Sequence, residues 1–158
     1  MPRRASPSAP PIDYATLADL RYQLRRFMRA REVIARKAGI EPQQYLVLLQ
    51  IKGLAGRGVP NIGVLAERLQ IGHHAAVQLV DRLARRGVVE RQQGGRDRRE
   101  VVVCLRRAGE TIVRQVAGHS IDELTAEGPQ LVSSLNRLIK QSTRGRARPR
   151  PGPRKATR

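Results

Sequence analysis

Apolar residues along this chain change period several times, and each change marks an element. Leu17, Leu20, Leu24 and Phe27 recur at three- and four-residue steps, and Val33 and Ile34 continue that side, which predicts one long amphipathic helix over residues 13–38. Gly39 suits its C-cap. A second helix is expected from Glu41 and Pro42, since proline suits a first helical turn. Tyr45, Leu46, Leu48, Leu49, Ile51 and Leu54 cover it broadly and predict a central position. The loop GRGVPN ends in Asn61, an N-cap for a short third helix whose inward face is Leu65, Ala66 and Leu69. Ile71 is expected as an apolar plug at the following turn. Ala76, Leu79, Val80 and Leu83 then repeat at helical spacing up to Gly87.

Past Gly87 the pattern shifts to two strands, VVER and VVVCL, around a polar loop with Gly94 and Gly95. A helix over residues 110–124 follows. TAEGPQ predicts a break and restart there, with Thr125 as an N-cap, before a last helix built on Leu131, Val132, Leu135, Leu138 and Ile139. The sum is a mainly α chain with a small β wing: a winged helix-turn-helix over residues 39–107, flanked by helical segments over 13–38 and 108–141. Terminal helices beyond a complete winged unit make sense as a dimerisation region packed across a two-fold axis. Residues 1–12 are expected to be a disordered arm, and residues 142–158 a disordered basic tail.

Charge narrows the class of partner. The formal net charge is +18, and discounting Arg3, Arg4 and the seven basic residues of positions 144–158 still leaves +9 on the body. A polyanion is the natural partner, and double-stranded DNA fits the helix-turn-helix pattern. Without an 18-residue apolar stretch or a leader-like segment, the expectation is a soluble, cytoplasmic protein with no membrane role. No phosphate loop, zinc spacing or Ser/His/Asp arrangement occurs, so an enzyme is not expected, nor a cofactor. His73 and His74 are adjacent, which is not a metal-ligand spacing, and His119 is remote in sequence, so no metal site is expected. Cys104, the lone cysteine, is expected as a buried strand thiol; an exposed redox thiol near Arg98, Arg99, Arg106 and Arg107 is the alternative.

The phase of the second helix of the motif leaves His74, Val77, Gln78, Asp81 and Arg82 on or near its outer face. Gln78 could pair with adenine, Arg82 with guanine or phosphate, and Val77 with a thymine methyl. His73 and His74 sit at the helix start, where free N–H groups favour phosphate and acidification would strengthen the contact. In the wing, Arg91, Arg96, Arg98 and Arg99 line a slender loop suited to a narrow minor groove. Asp97 is either the organiser of that loop through a salt bridge or a plain turn residue. Tyr45 has two readings as well, a core aromatic or one wall of a small-molecule cavity.

The run LAERLQIGHHAAVQLVDRLARRGVVER at residues 65–91, with DRR at 97–99, a strand and RRAGE, resembles the MarR family of transcription regulators; the similarity spans residues 13–141. The resemblance implies a winged-helix homodimer that binds palindromic promoter DNA, usually as a repressor. Many members release it when a small aromatic or phenolic effector binds between the dimer and DNA-binding regions. Carried over by position, His73, His74, Val77, Gln78 and Arg82 become recognition-helix residues. Arg99 becomes the minor-groove arginine, with Arg96 and Arg98 beside it and Asp97 as its organising acid. HHAA stands where members commonly carry Ser, Thr or Arg. The basic tail supports a different class, an architectural or nonspecific DNA-binding protein.

Overall fold

A computed structural model describes residues 12–94 and 101–146, with side chains described through Gln141. The wing positions Arg96, Asp97, Arg98 and Arg99 lie outside the described residues, as do residues 1–11 and 147–158. The chain is mainly helical with one small sheet: α1 (Tyr14–Lys37), α2 (Pro42–Leu54), α3 (Ile62–Leu69), α4 (His73–Arg85), β1 (Val89–Gln93), β2 (Val101–Leu105) and α5 (Arg107–Arg146). It divides into two compact units, Met28–Thr125 and the two chain ends up to Phe27 and from Ala126.

The larger unit holds the core. α2 buries Tyr45, Val47, Leu48, Ile51 and Leu54, which makes it the central helix that its broad apolar coverage predicts. Leu65 of α3, Val80 and Leu83 of α4, Val89, Val103 and Val116 join that cluster, each essentially withdrawn from water. Asn61 caps α3 as expected, its Oδ1 accepting from the Val64 amide at 2.8 Å. The same residue bridges to Val102, and the Val103 amide donates to the Pro60 carbonyl at 2.9 Å, so the loop before α3 adds a short third rung to the sheet. β1 and β2 pair antiparallel, Val89 opposite Leu105 and Gln93 opposite Val101.

Helix ends follow their glycines. At Gly87 (φ 69°) the amide reaches the Ala84 carbonyl and the Val88 amide reaches Leu83, a left-handed stop that only glycine adopts without strain. Gly39 ends α1 with the same pair of bonds, to Arg36 and Ala35. Ile71 is half-buried at the turn where a buried plug was expected.

Two expectations are corrected. α5 is one 40-residue helix with Pro129 inside it, so TAEGPQ neither breaks nor restarts the chain. Proline removes one i→i−4 hydrogen bond, a loss that packing on both sides of it can offset. Thr125 is no N-cap: its hydroxyl donates back to the Ile121 carbonyl at 3.0 Å. Cys104 is half-buried, with Sγ 3.5 Å from Gln92 Oε1, because the sheet presents only Val103 of that strand fully to the core.

In the smaller unit the first half of α1 runs antiparallel to the end of α5. Arg26 pairs with Glu127 at 3.0 Å, Ser134 bonds Gln23 at 3.3 Å, and Gln141 donates to Asp13 at 2.9 Å. Tyr14, Leu17, Tyr22, Leu24, Val132 and Ile139 leave a large apolar surface exposed there.

A Cβ on Gly109 would collide with the Val88 carbonyl, so Gly109→Ala should lower stability by about 1–3 kcal/mol in thermal or urea melts. Gly118→Ala, with nothing within 4 Å, should instead raise it by about 0.5–1 kcal/mol. The Thr16 hydroxyl and amide, then Gln141, hold the Asp13 carboxyl down from 3.8 to about 2. A depressed carboxyl stabilises the fold above its unfolded value, so this contribution is present above pH 3.8 and is lost as pH falls toward about 2. An NMR titration of the Asp13 carboxyl, alongside fraying of α1 in Asp13→Ala, checks it.

Candidate nucleic-acid interface

α4 is the element that α2 and the sheet hold outward. It starts at Gly72, whose backbone N-cap offers no side-chain hydrogen bond, and its first turn carries no acid. The first N–H groups are thus open to an anion, and the helix dipole favours one. Ala76, Val80 and Leu83 are fully buried beneath the helix. That phase exposes His73, His74, Gln78 and Arg82 and leaves Val77 half-buried, as the spacing predicts. Ala75 and Arg85 share the exposed side, two positions that the spacing alone did not single out. The rings of His73 and His74 meet edge to face at 6.4 Å.

Charge on this face is organised by one contact. Arg91 of β1 reaches Asp81 of α4, Nη1 to Oδ1 at 2.6 Å. Arg91 therefore is not a free wing cation; it neutralises the one carboxylate of the outer face and ties the helix to the hairpin. A lone acid on the outer face of a basic helix was the signal in the sequence, since such a carboxylate is readily met by a neighbouring cation. Arg106 lies 3.4 Å from Glu90 on the hairpin's base. Arg86, just past α4, donates to Gln44 Oε1 at 2.9 Å and to the Gly39 carbonyl at 2.8 Å. That tether was missed, because nothing local in the sequence pairs residue 86 with residues 39 and 44.

Tyr45 is a core aromatic that also borders a cavity. It is 5% exposed, burial pushes its phenol up, and it lines a cavity of about 250 Å³ with Met28, Arg31, Ala35, Leu46 and Leu49. Arg31 is anchored there by Glu123 at 3.4 Å and the Ser120 carbonyl at 3.2 Å. Among the described residues, no group of three or more His, Cys, Asp or Glu is placed to hold a metal, and no helix is long and apolar enough to cross a membrane.

The sequence model of the MarR family matches residues 38–100, from the end of α1 through the hairpin turn. Over those residues the chain is similar to the MarR family. Solved structures agree with the MarR-type fold over most of the chain. AbsC, a MarR family transcriptional regulator from Streptomyces coelicolor, matches at a TM-score of 0.66 and 18% identity, covering 84% of this chain and 95% of its own. RV1404 from Mycobacterium tuberculosis matches at 0.63 and 24%, covering 88% and 97%. A MarR variant from E. coli, complexed with operator DNA, matches at 0.60 and 25%, covering 78% and 89%. No match is found among curated proteins by sequence.

The Asp81–Arg91 pair is 42% and 37% exposed, so a double-mutant cycle with Asp81→Ala and Arg91→Ala should give a stability coupling of only about 0.2–1 kcal/mol in urea melts. Asp81→Ala alone should leave DNA affinity equal or higher, and Arg91→Ala alone should lower it, as read by fluorescence anisotropy.

Proposed function

We propose that this chain is a homodimeric, sequence-specific double-stranded DNA-binding transcription regulator, acting in the cytoplasm as a repressor at a palindromic promoter site. The observation that carries this reading is α4: a helix fixed on one side by a dry core, with an open N-terminus and exposed His73, His74, Gln78 and Arg82 on the other. Those groups can meet base edges and phosphates when the helix enters a major groove. Arg96, Arg98 and Arg99 would accompany it into the flanking minor groove, with Asp97 aiming them. The complex of E. coli MarR with operator DNA supports the same use of the fold.

The exposed apolar side chains of the smaller unit fit a second copy of the chain, and a two-fold dimer would present two copies of α4 one helical turn apart. The Tyr45 cavity suits a single-ring aromatic or phenolic effector: Met28, Ala35, Leu46 and Leu49 give it apolar walls, and the Tyr45 phenol, Glu32 and the Arg31–Glu123 pair lie at its polar edge. A ligand bound there would release the operator.

The deciding experiment compares the chain's own upstream region with a composition-matched random duplex at two salt concentrations, using the full chain and one ending at Ser142. A preference of roughly 10³ or more that survives truncation is the expected result, with affinity falling steeply as salt rises. Equal binding of both duplexes, lost on truncation, would sink the regulator and favour an architectural DNA-binding protein driven by the basic tail. On the correct site, Gln78→Ala should cost about 1–3 kcal/mol if Gln78 reads a base, and Arg99→Ala should weaken many sites evenly.

A further inference from the structure

The end of α1 and the middle of α5 flank a cavity of about 370 Å³ within the larger unit, and it shares no residue with the Tyr45 cavity. Half-buried Ile34 and Ala38 give it an apolar floor. Its rim carries charge of both signs, Lys37 from α1 and Asp122 from α5. Among the described residues neither side chain has an ion pair or a side-chain hydrogen bond, although both border the same space. Glu123, the other carboxylate there, is already held by Arg31 at 3.4 Å. His119 completes the rim. Its Nδ1 lies 2.8 Å from the Gln115 carbonyl, which only accepts, so Nδ1 carries the proton and the neutral ring keeps Nε2 as an acceptor.

We propose that this cavity binds a free α-amino acid with an apolar side chain. The ligand carboxylate pairs with Lys37, the ammonium donates to Asp122 and to Nε2 of His119, and the side chain lies on Ile34 and Ala38. Concave sites of this size, with an apolar floor and a few polar groups, are the usual form of a small-molecule site. The arrangement of charge selects within that class. A simple anion would leave Asp122 facing it, and a simple amine would leave Lys37 facing it, whereas a zwitterion supplies a partner for each. Both contacts are charge-assisted, which makes each stronger than a neutral hydrogen bond. The site goes beyond the regulator reading and is independent of it, since ligand binding is measured on the chain alone.

The test is calorimetric titration of the full chain, without DNA, with L-leucine and L-phenylalanine. At least one should bind once per chain with a Kd below about 1 mM. Analogues of each that lack the ammonium (isocaproate, hydrocinnamate) or the carboxylate (isoamylamine, phenethylamine) should bind about tenfold more weakly or worse. Lys37→Met and Asp122→Asn, both at exposed positions, should leave the fold intact and each weaken the amino acid by about the same factor. Should either variant fail to fold, the analogue series on the unaltered chain decides alone. The proposal is overturned if neither amino acid binds, or if the analogues bind as tightly as their parents. It is equally overturned if binding survives both substitutions, which would place the ligand elsewhere in the molecule.

Discussion

The dry contact beneath α4 sets everything that this helix can do. Ala76, Val80 and Leu83 meet a core to which α2 contributes Val47 and Leu48, all of them sealed from water. An α-helix turns about 100° per residue, so a slip of one position would carry Gln78 or Arg82 toward that core. Burying either without a partner costs more than the helix could recover elsewhere. The outward set is therefore chosen by what must stay inside, and the chemistry available to a groove is the complement of the packing.

Electrostatics works on a different scale. Glu127, Glu123, Glu32, Glu110, Asp81 and Glu90 each stand within 4 Å of an arginine or lysine, mostly at half-exposed positions. Such pairs add little stability, but they decide where carboxylates are not. With so many of its few acids held by cations, a chain of net charge +18 presents a positive exterior. Stability thus comes from aliphatic packing in the larger unit, whereas charge governs the approach of a polyanion.

Much of this was legible in the sequence because it obeys local periodicity. The order of elements from α1 to β2, the Asn61 cap, the Gly87 stop and the outer face of α4 all follow from spacing and from what single residue types do best. Local signals failed where tertiary packing overrode them. Gly128 and Pro129 carry every mark of a helix break, yet α5 passes through them. Arg91 looked like a wing cation because strands and helices far apart in sequence cannot be placed against each other by periodicity. Nothing local in the sequence marks Gln44, whose burial beside Arg86 depends on the path of the whole unit. The arginine cluster of the hairpin turn falls on positions outside the described residues, so its contribution rests on charge and resemblance.

Among the described residues Gln78 and Arg82 have neither an ion pair nor a side-chain hydrogen bond within the chain, whereas the neighbouring Asp81 and Arg86 are both engaged. Exposed positions with no polar partner inside the molecule can be exchanged with little effect on its folding. The helix therefore separates two kinds of selection along one stretch of sequence. Its tethered and buried positions are held by the fold, and its free ones are held only by whatever they meet outside. On the proposed function, a lineage could rewrite the preferred DNA sequence through two or three exposed codons, without first acquiring a more stable scaffold to tolerate the change.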